Sequence, residues 1–278
     1  MAIAVFMSAI MDASIKRLSG SYLPFEMSCL RCLAALAILM PFVAVKSQLV
    51  RLRPYQPFWH ALRGLLGLVT TASFVYAVGR LSLGSTYAIF LCAPMIIAVI
   101  SATVLRNRVS LRQWTSLVVG LGGVLLVIHP SASEIVSISG IFAAVVSTLA
   151  YSLNLLIVPA MSNKNSSISL VFWFLLLVGV ASAILAAPNW RRVGSSDYLW
   201  LAVIGVTGVL CQYLNTRALQ LAPAFVVAPL EYTAIVWALV LDCLFWSREL
   251  TAANLIGGAL ILFSGGRVDI PVERRNAT

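Results

Sequence analysis

The sequence predicts an all-α polytopic membrane protein: ten transmembrane helices arranged as two inverted five-helix repeats. Three observations predict it. Apolar segments of roughly 18 to 22 residues recur about ten times along the chain, and at 1.5 Å rise about 20 residues span a ~30 Å hydrocarbon core. Charged residues make up 10% of the chain, against about 25% in a soluble domain, and the mean hydropathy is +0.98. A shift of about 140 residues lays the hydropathy and loop placement of one half on the other. Ser110-Leu111 then meets Thr251-Ala252, Gln113 meets Asn254, and Leu121 meets Leu262. Five spans per repeat is an odd number, so the second repeat is inverted. That arrangement is a transporter signature, with the site at the midplane between the halves.

Helices are expected at 1–18, 25–45, 58–78, 84–105, 113–129, 138–158, 168–187, 198–216, 224–246 and 252–266. Residues 1–18 lack a basic leading region and a small-residue cleavage site, so they read as a helix and not as a signal peptide. Ser19-Gly20 and Pro24 open the second helix, and Arg53-Pro54 with Pro57 opens the third. The fourth carries Tyr87 and Phe90 ahead of Pro94. The fifth, with Gly120, Gly122 and Gly123, stops at His129-Pro130-Ser131. Residues 163–167 and Pro188-Asn189 flank the seventh. The tenth has Gly257, Gly258, Gly265 and Gly266, and like the fifth it offers a small-residue packing surface. The repeats are therefore expected over 1–130 and 138–268, with a cytoplasmic tail at 269–278.

Composition excludes several functions. The net charge is +10, but the basic residues sit one to three at a time at helix ends, where they set topology; a nucleic-acid face would cluster them. Twelve of them (Lys46, Arg51, Arg53, Arg63, Arg106, Arg108, Arg112, Lys164, Arg217, Arg267, Arg274 and Arg275) share the side of the termini; six (Lys16, Arg17, Arg80, Arg191, Arg192 and Arg248) lie opposite. Both termini are thus expected in the cytoplasm. The five cysteines lie inside apolar segments, which argues against a disulfide framework. Cys29 and Cys32 read as small apolar residues on one helix face, and His60 and His129 as interfacial residues. No GxxxxGK[ST], HExxH, GxSxG or metal-ligand cluster occurs, so neither an enzyme nor a bound metal or cofactor is expected.

The functional candidates are the polar exceptions, because a charge in mid-membrane costs at least ~2.5–3.5 kcal/mol. Glu231 leads. It follows Pro229, which cannot donate a backbone hydrogen bond and so frees carbonyls one turn earlier. A carboxylate held in low dielectric can carry a proton; an ion pair with Arg63 or Arg217 is the structural alternative. Asp242, eleven residues on, returns to nearly the same face about 16 Å away and is the second proton-coupling candidate. Asp12 and Arg31 fall at similar depth on adjacent spans, as a salt bridge or as an outer gate that grips a zwitterion. Tyr87, Phe90, Tyr151, Asn154, Gln212, Tyr232 and Trp237 complete the expected substrate lining, since interior Tyr and Asn need partners in lipid.

Several segments together resemble the drug/metabolite transporter superfamily, in its EamA-like ten-helix branch. In the first half they are MDASIKRLSG, CLRCL with Arg31, LRGLLGL, YAIFLCAPM and RVSLRQWTSLVVGLGGVLLVIHP. In the second half they are RALQLAPAFVVAPLEYTAIVWALVLDCLFW and LIGGALILFSGG. The resemblance implies a substrate cavity among spans one to four and six to nine, with five and ten peripheral. It carries Glu231, Tyr232 and Arg31 over as site residues. The family pattern places Gly-Glu after the fourth and ninth spans; here Arg106-Asn107 and Ser247-Arg248 stand there, with Glu249 displaced by one. The implied activity is secondary transport of small metabolites by alternating access, with export of amino-acid-like solutes expected; proton coupling, toward which Glu231 points, and simple facilitated diffusion are both open. Uptake of the S-adenosylmethionine type is the alternative within the family. A non-transporting membrane assembly protein is the rival class. The expected partners are the lipid bilayer, a small-molecule substrate and a second copy of the chain docked through the glycine-rich fifth and tenth helices.

Overall fold

The computed structural model describes residues 1–18, 20–45, 52–81, 83–128, 137–162, 164–246 and 251–266. The turn at His129-Pro130-Ser131, Lys46, Arg51, residues 247–249 and the tail beyond Gly266 lie outside the described residues, as do the side chains of Asp242 and Trp246.

Ten helical spans follow one another among the described residues. They are Ala2–Leu18, Pro24–Val45, Pro57–Val78, Leu83–Phe90 with Ala93–Thr103, Leu111–Ile128, Ile138–Met161, Ser167–Ala186, Tyr198–Leu221, Ala224–Val227 continuing to Thr233–Trp246, and Ala252–Gly266. The second to ninth are long and apolar enough to cross a membrane. The tenth is a shorter apolar helix, and the first has 17 residues that include Asp12, Lys16 and Arg17.

Helix starts follow capping chemistry. Ser110 and Gln113 form a full capping box: the Ser110 N–H donates to Gln113 Oε1 (2.9 Å) and the Gln113 N–H to Ser110 Oγ (3.3 Å). At the equivalent place in the tenth span, the Asn254 N–H donates to Thr251 Oγ1 (3.3 Å). The two residue pairs aligned by the sequence shift therefore do the same job. Ser137 and Ser166 cap the sixth and seventh spans through their hydroxyls.

Packing repeats the symmetry. The third span packs on the sixth, and the eighth on the first; the second packs on the eighth, and the seventh on the third. The second also meets the seventh, and the fifth meets the tenth. Exchanging the halves interchanges the first two pairings, interchanges the next two, and returns the last two to themselves. The fifth and tenth spans are held by reciprocal bonds, Ser116 Oγ to the Ser264 carbonyl (2.6 Å) and Ser264 Oγ to the Ser116 carbonyl (2.7 Å). One helix turn and more away, a Cβ on Gly123 would stand 2.7 Å from the Gly257 carbonyl, and one on Gly257 would stand 2.6 Å from the Gly123 carbonyl. Gly120, Gly123 and Gly257 thus serve packing inside the protomer, whereas Gly122 and Gly258 face open space.

Four expectations about helix limits are corrected. The fourth span breaks at Leu91-Cys92, just before Pro94, and the ninth tightens into a 3-10 turn over Ala228–Tyr232 around Pro229. Cys92-Ala93-Pro94 and Val227-Ala228-Pro229 occupy corresponding places in the two halves, and each proline removes one backbone donor. The sixth span passes Pro159 to reach Met161, because Val158 and Met161 are fully buried and packing holds the last turn. The eighth runs on to Leu221: its polar Asn215-Thr216-Arg217, read as an end, is polar because part of it lines a cavity, and Leu219 beyond it is buried. Arg106 adopts φ 54°, the left-handed backbone that glycine favours, at the place where the family pattern has Gly. The reversal there is closed by the Asn107 N–H on the Ser101 carbonyl (2.9 Å).

Candidate substrate site

A cavity of about 200 Å³ opens between the halves. Of the residues expected there, Arg31, Phe90, Tyr151, Asn154 and Gln212 line it. Phe90 lines it next to the break in the fourth span, Tyr151 ties its wall to Glu231 on the turn of the ninth, and hydroxyls of the sixth span approach the backbone at the first break. Thr148 Oγ1 lies 3.3 Å from the Ile89 carbonyl and Ser152 Oγ 3.4 Å from the Ala93 carbonyl, while their shorter bonds run to Ala144 (2.7 Å) and Thr148 (2.8 Å) of their own helix. Interrupted helices in corresponding positions are where transporters expose backbone to a ligand.

Glu231 sits on the 3-10 turn and accepts a hydrogen bond from the Tyr151 hydroxyl (3.0 Å). The alternative of an ion pair with Arg63 meets a different arrangement. Arg63 Nε donates to Asn154 Oδ1 (3.3 Å), Nη1 donates to the Leu170 carbonyl (3.0 Å), and Asn154 Nδ2 returns a bond to the Arg63 carbonyl (2.9 Å). The guanidinium lies over the Phe174 ring, 4.9 Å from its centroid. Arg63 is 4% exposed and lines the cavity. Sequence reading placed it near a helix end and did not count it in the lining. Its signal was the pairing of Arg63 with Gly64 and Gly67, the small residues that let the seventh span approach.

Asp12 keeps an exposed side chain although its span packs against the eighth and ninth, so it borders an opening within the bundle. Electrostatically Asp12 reaches Arg31, Tyr87, Tyr151 and Cys211, on the second, fourth, sixth and eighth spans. Glu231 reaches Tyr151 and Cys211 as well, so the two carboxylates share neighbours. Aromatic rings continue the wall: Tyr87 and Phe90 stand edge-on to Phe74 (5.4 and 5.3 Å), and Phe90 packs at a tilt against Tyr151 (5.0 Å). Phe74 and Cys211 were not singled out by sequence; each looks like an ordinary apolar residue of its span.

Two candidates lie elsewhere. Tyr232 is fully buried against the fifth span, where a Cβ on Gly120 would meet its ring at 2.5 Å. Its hydroxyl has no hydrogen-bond partner. Trp237 packs on Phe6 (4.6 Å) between the first and ninth spans. The backbone of Asp242 belongs to the Thr233–Trp246 helix.

Polar networks close the bundle at each end. At one, Tyr22 donates to Asp197 Oδ2 (2.7 Å), and buried Glu26 accepts from the N–H groups of Leu23 (3.1 Å) and Arg191. At the other, Asn165 Oδ1 meets His60 Nε2 (3.0 Å) and accepts from the Tyr55 N–H (3.3 Å), while its Nδ2 donates to Gln56 Oε1 (3.1 Å). Both networks join the first half to the second. Among the described residues no group of three or more His, Cys, Asp or Glu converges to hold a metal ion, and the cysteines are free.

The helical fold, the broken spans and the interior polar cavity define a membrane transporter. The chain belongs to the EamA-like transporter family, which it matches over residues 1–129 and 138–265. It is 29% identical over 273 residues to an uncharacterized transporter of Helicobacter pylori (strain J99), covering 94% of this chain and 90% of that one. It is 23% identical over 262 residues to an S-adenosylmethionine uptake transporter of Rickettsia conorii, covering 92% of this chain and 88% of that one. A solved crystal structure shares the fold with a TM-score of 0.81 at 19% identity, over 96% of this chain and 95% of the other. The protein is thus a multi-pass membrane protein of a bacterial transporter family, and not an enzyme.

Proposed function

We propose that this protein is a secondary transporter that moves small organic metabolites of the amino-acid type across the bacterial inner membrane by alternating access. The observation that carries this is the cavity between the halves, flanked by two helices broken at corresponding prolines. Networks that join the halves at both ends supply the two closures such a cycle needs: Tyr22–Asp197 with Glu26–Arg191, and the bonds around Asn165. The repeats are taken as residues 1–130 and 138–268, with both termini and the tail in the cytoplasm.

Glu231 is the proposed proton carrier, because its described partner is a neutral hydroxyl and not a base. Asp242 is the second candidate. Arg31, Asp12, Tyr87, Phe90, Asn154 and Gln212 are the proposed substrate contacts, with Tyr232 and Trp237 supporting them from behind. A homodimer would use the outward Gly122 and Gly258 faces. Export is the proposed direction; the name of the Rickettsia relative speaks for uptake by that protein. Flux of labelled solutes in proteoliposomes of known orientation, with and without a pH gradient, tests the reading. Saturable, gradient-accelerated flux supports it, and silence from folded protein across amino acids, nucleosides and amines defeats it.

A further inference from the structure

We propose that Arg63 is the anchor for the carboxylate of the transported solute, and that the site takes a small zwitterion with a free carboxylate, an N–H donor and an apolar side chain. The inference rests on the transport reading above and names its substrate class. A guanidinium offers five N–H donors. In Arg63 the recorded bonds use Nε and Nη1, and both acceptors are neutral amide oxygens, of Asn154 and of the Leu170 backbone. Among the described residues no carboxylate is a recorded partner of Arg63, which is 4% exposed. A buried cation without a counter-ion is costly, and anions are its natural complement. The Nη2 end takes part in neither recorded bond, and the residue lines the cavity.

A second observation points the same way. Asn215 Oδ1 and Thr216 Oγ1 are buried without hydrogen-bond partners, and both residues line this same cavity from the eighth span. Native proteins seldom leave such atoms unpaired, so a ligand group is the fitting partner. The chemistry is complementary. Arg63 only donates, Thr216 donates or accepts, and Asn215 Oδ1 only accepts. A carboxylate placed between Arg63 and Thr216, with its amino group toward Asn215, satisfies all three. Leu155, Phe174 and Leu219 supply apolar wall. The cavity of about 200 Å³ lies below the ~300–1,000 Å³ usual for drug-sized ligands, which favours an amino acid over a nucleoside-bearing solute. The anchor also joins the halves: Arg63 is in the first, and Asn154, Asn215 and Thr216 are in the second.

The test is flux of L-leucine, L-methionine and L-valine by the full chain in proteoliposomes, each beside its own carboxamide, which keeps the shape and removes the negative charge. One or more of the acids should move saturably, with its amide at least about 10-fold slower, the loss expected when a hydrogen bond to a charged group is removed. Arg63→Met should bring acid flux down about 10- to 100-fold toward the level of the amide. Thr216→Val, nearly isosteric, should cost about 10-fold and answers the question if Arg63→Met does not fold. Equal flux of acid and amide, or full activity of folded Arg63→Met, overturns the anchor. Flux of choline or a nucleoside with none of the amino acids also overturns it, yet leaves the transport reading standing. Silence from all of these solutes overturns both.

Discussion

The Tyr151 hydroxyl donates to the Glu231 carboxylate at 3.0 Å, tying the sixth span to the 3-10 turn of the ninth. Two residues 80 positions apart thereby join the proposed proton carrier to the cavity wall, since Tyr151 lines the cavity and packs at a tilt against Phe90.

Glu231→Gln keeps the shape and the ability to accept from Tyr151 but cannot ionise. The expected outcome is folded protein whose pH-driven flux falls at least about 10-fold. Tyr151→Phe removes the donor and should cost a similar factor, because hydrogen bonds to charged groups contribute roughly 1.5–3 kcal/mol. Wild-type flux in Glu231→Gln, measured with and without the gradient, would sink proton coupling through this residue.

Asp12 and Arg31 are electrostatic neighbours across the first and second spans. If their role is mutual, Asp12→Ala with Arg31→Ala is milder than either single change, because neither charge is left alone. Equal and severe transport loss in all three variants at normal expression would show instead that each charge meets the solute.

Arg106 holds φ 54° at the end of the fourth span. Left-handed backbone costs an L-residue roughly 1–2 kcal/mol that glycine avoids. Arg106→Gly should therefore raise stability by about 1 kcal/mol, read as a higher unfolding temperature in detergent. A fall would mean that the Arg side chain supplies more than the backbone loses.

Gly123→Ala should destabilise by about 1–3 kcal/mol, as overpacking does, because its Cβ would meet the Gly257 carbonyl at 2.7 Å. Gly122→Ala, one residue away with nothing near its added Cβ, should stay within about 0.5 kcal/mol. Thermal unfolding of the pair checks this directly, and equal effects would contradict the packing.

Much of the fold was legible because hydrocarbon forces it to be. Every spanning backbone must satisfy its own hydrogen bonds, so apolar runs become helices and turn residues mark the gaps. Even the faint repeat was physical: Ser110 with Gln113 and Thr251 with Asn254 cap equivalent helices. Less was legible where polarity had two meanings. Asn215-Thr216-Arg217 read as a helix end and Arg63 as an end charge, yet Arg63, Asn215 and Thr216 line the cavity. Tyr232, polar and next to Glu231, turned toward Gly120. Glu26, at the start of the second span, escaped notice although it accepts backbone bonds from Leu23 and Arg191.

By itself the sequence determined the membrane class, the order of the helices and the family resemblance of both halves, because these depend on local hydrophobicity, length and turn chemistry. Only the tertiary structure decided which polar groups converge. Facing is set by which helices cross and how closely, and on a 3.6-residue period a single position separates cavity from core. Glu231 and Tyr232 are chain neighbours. One meets Tyr151 at the cavity and the other fills the space left by Gly120.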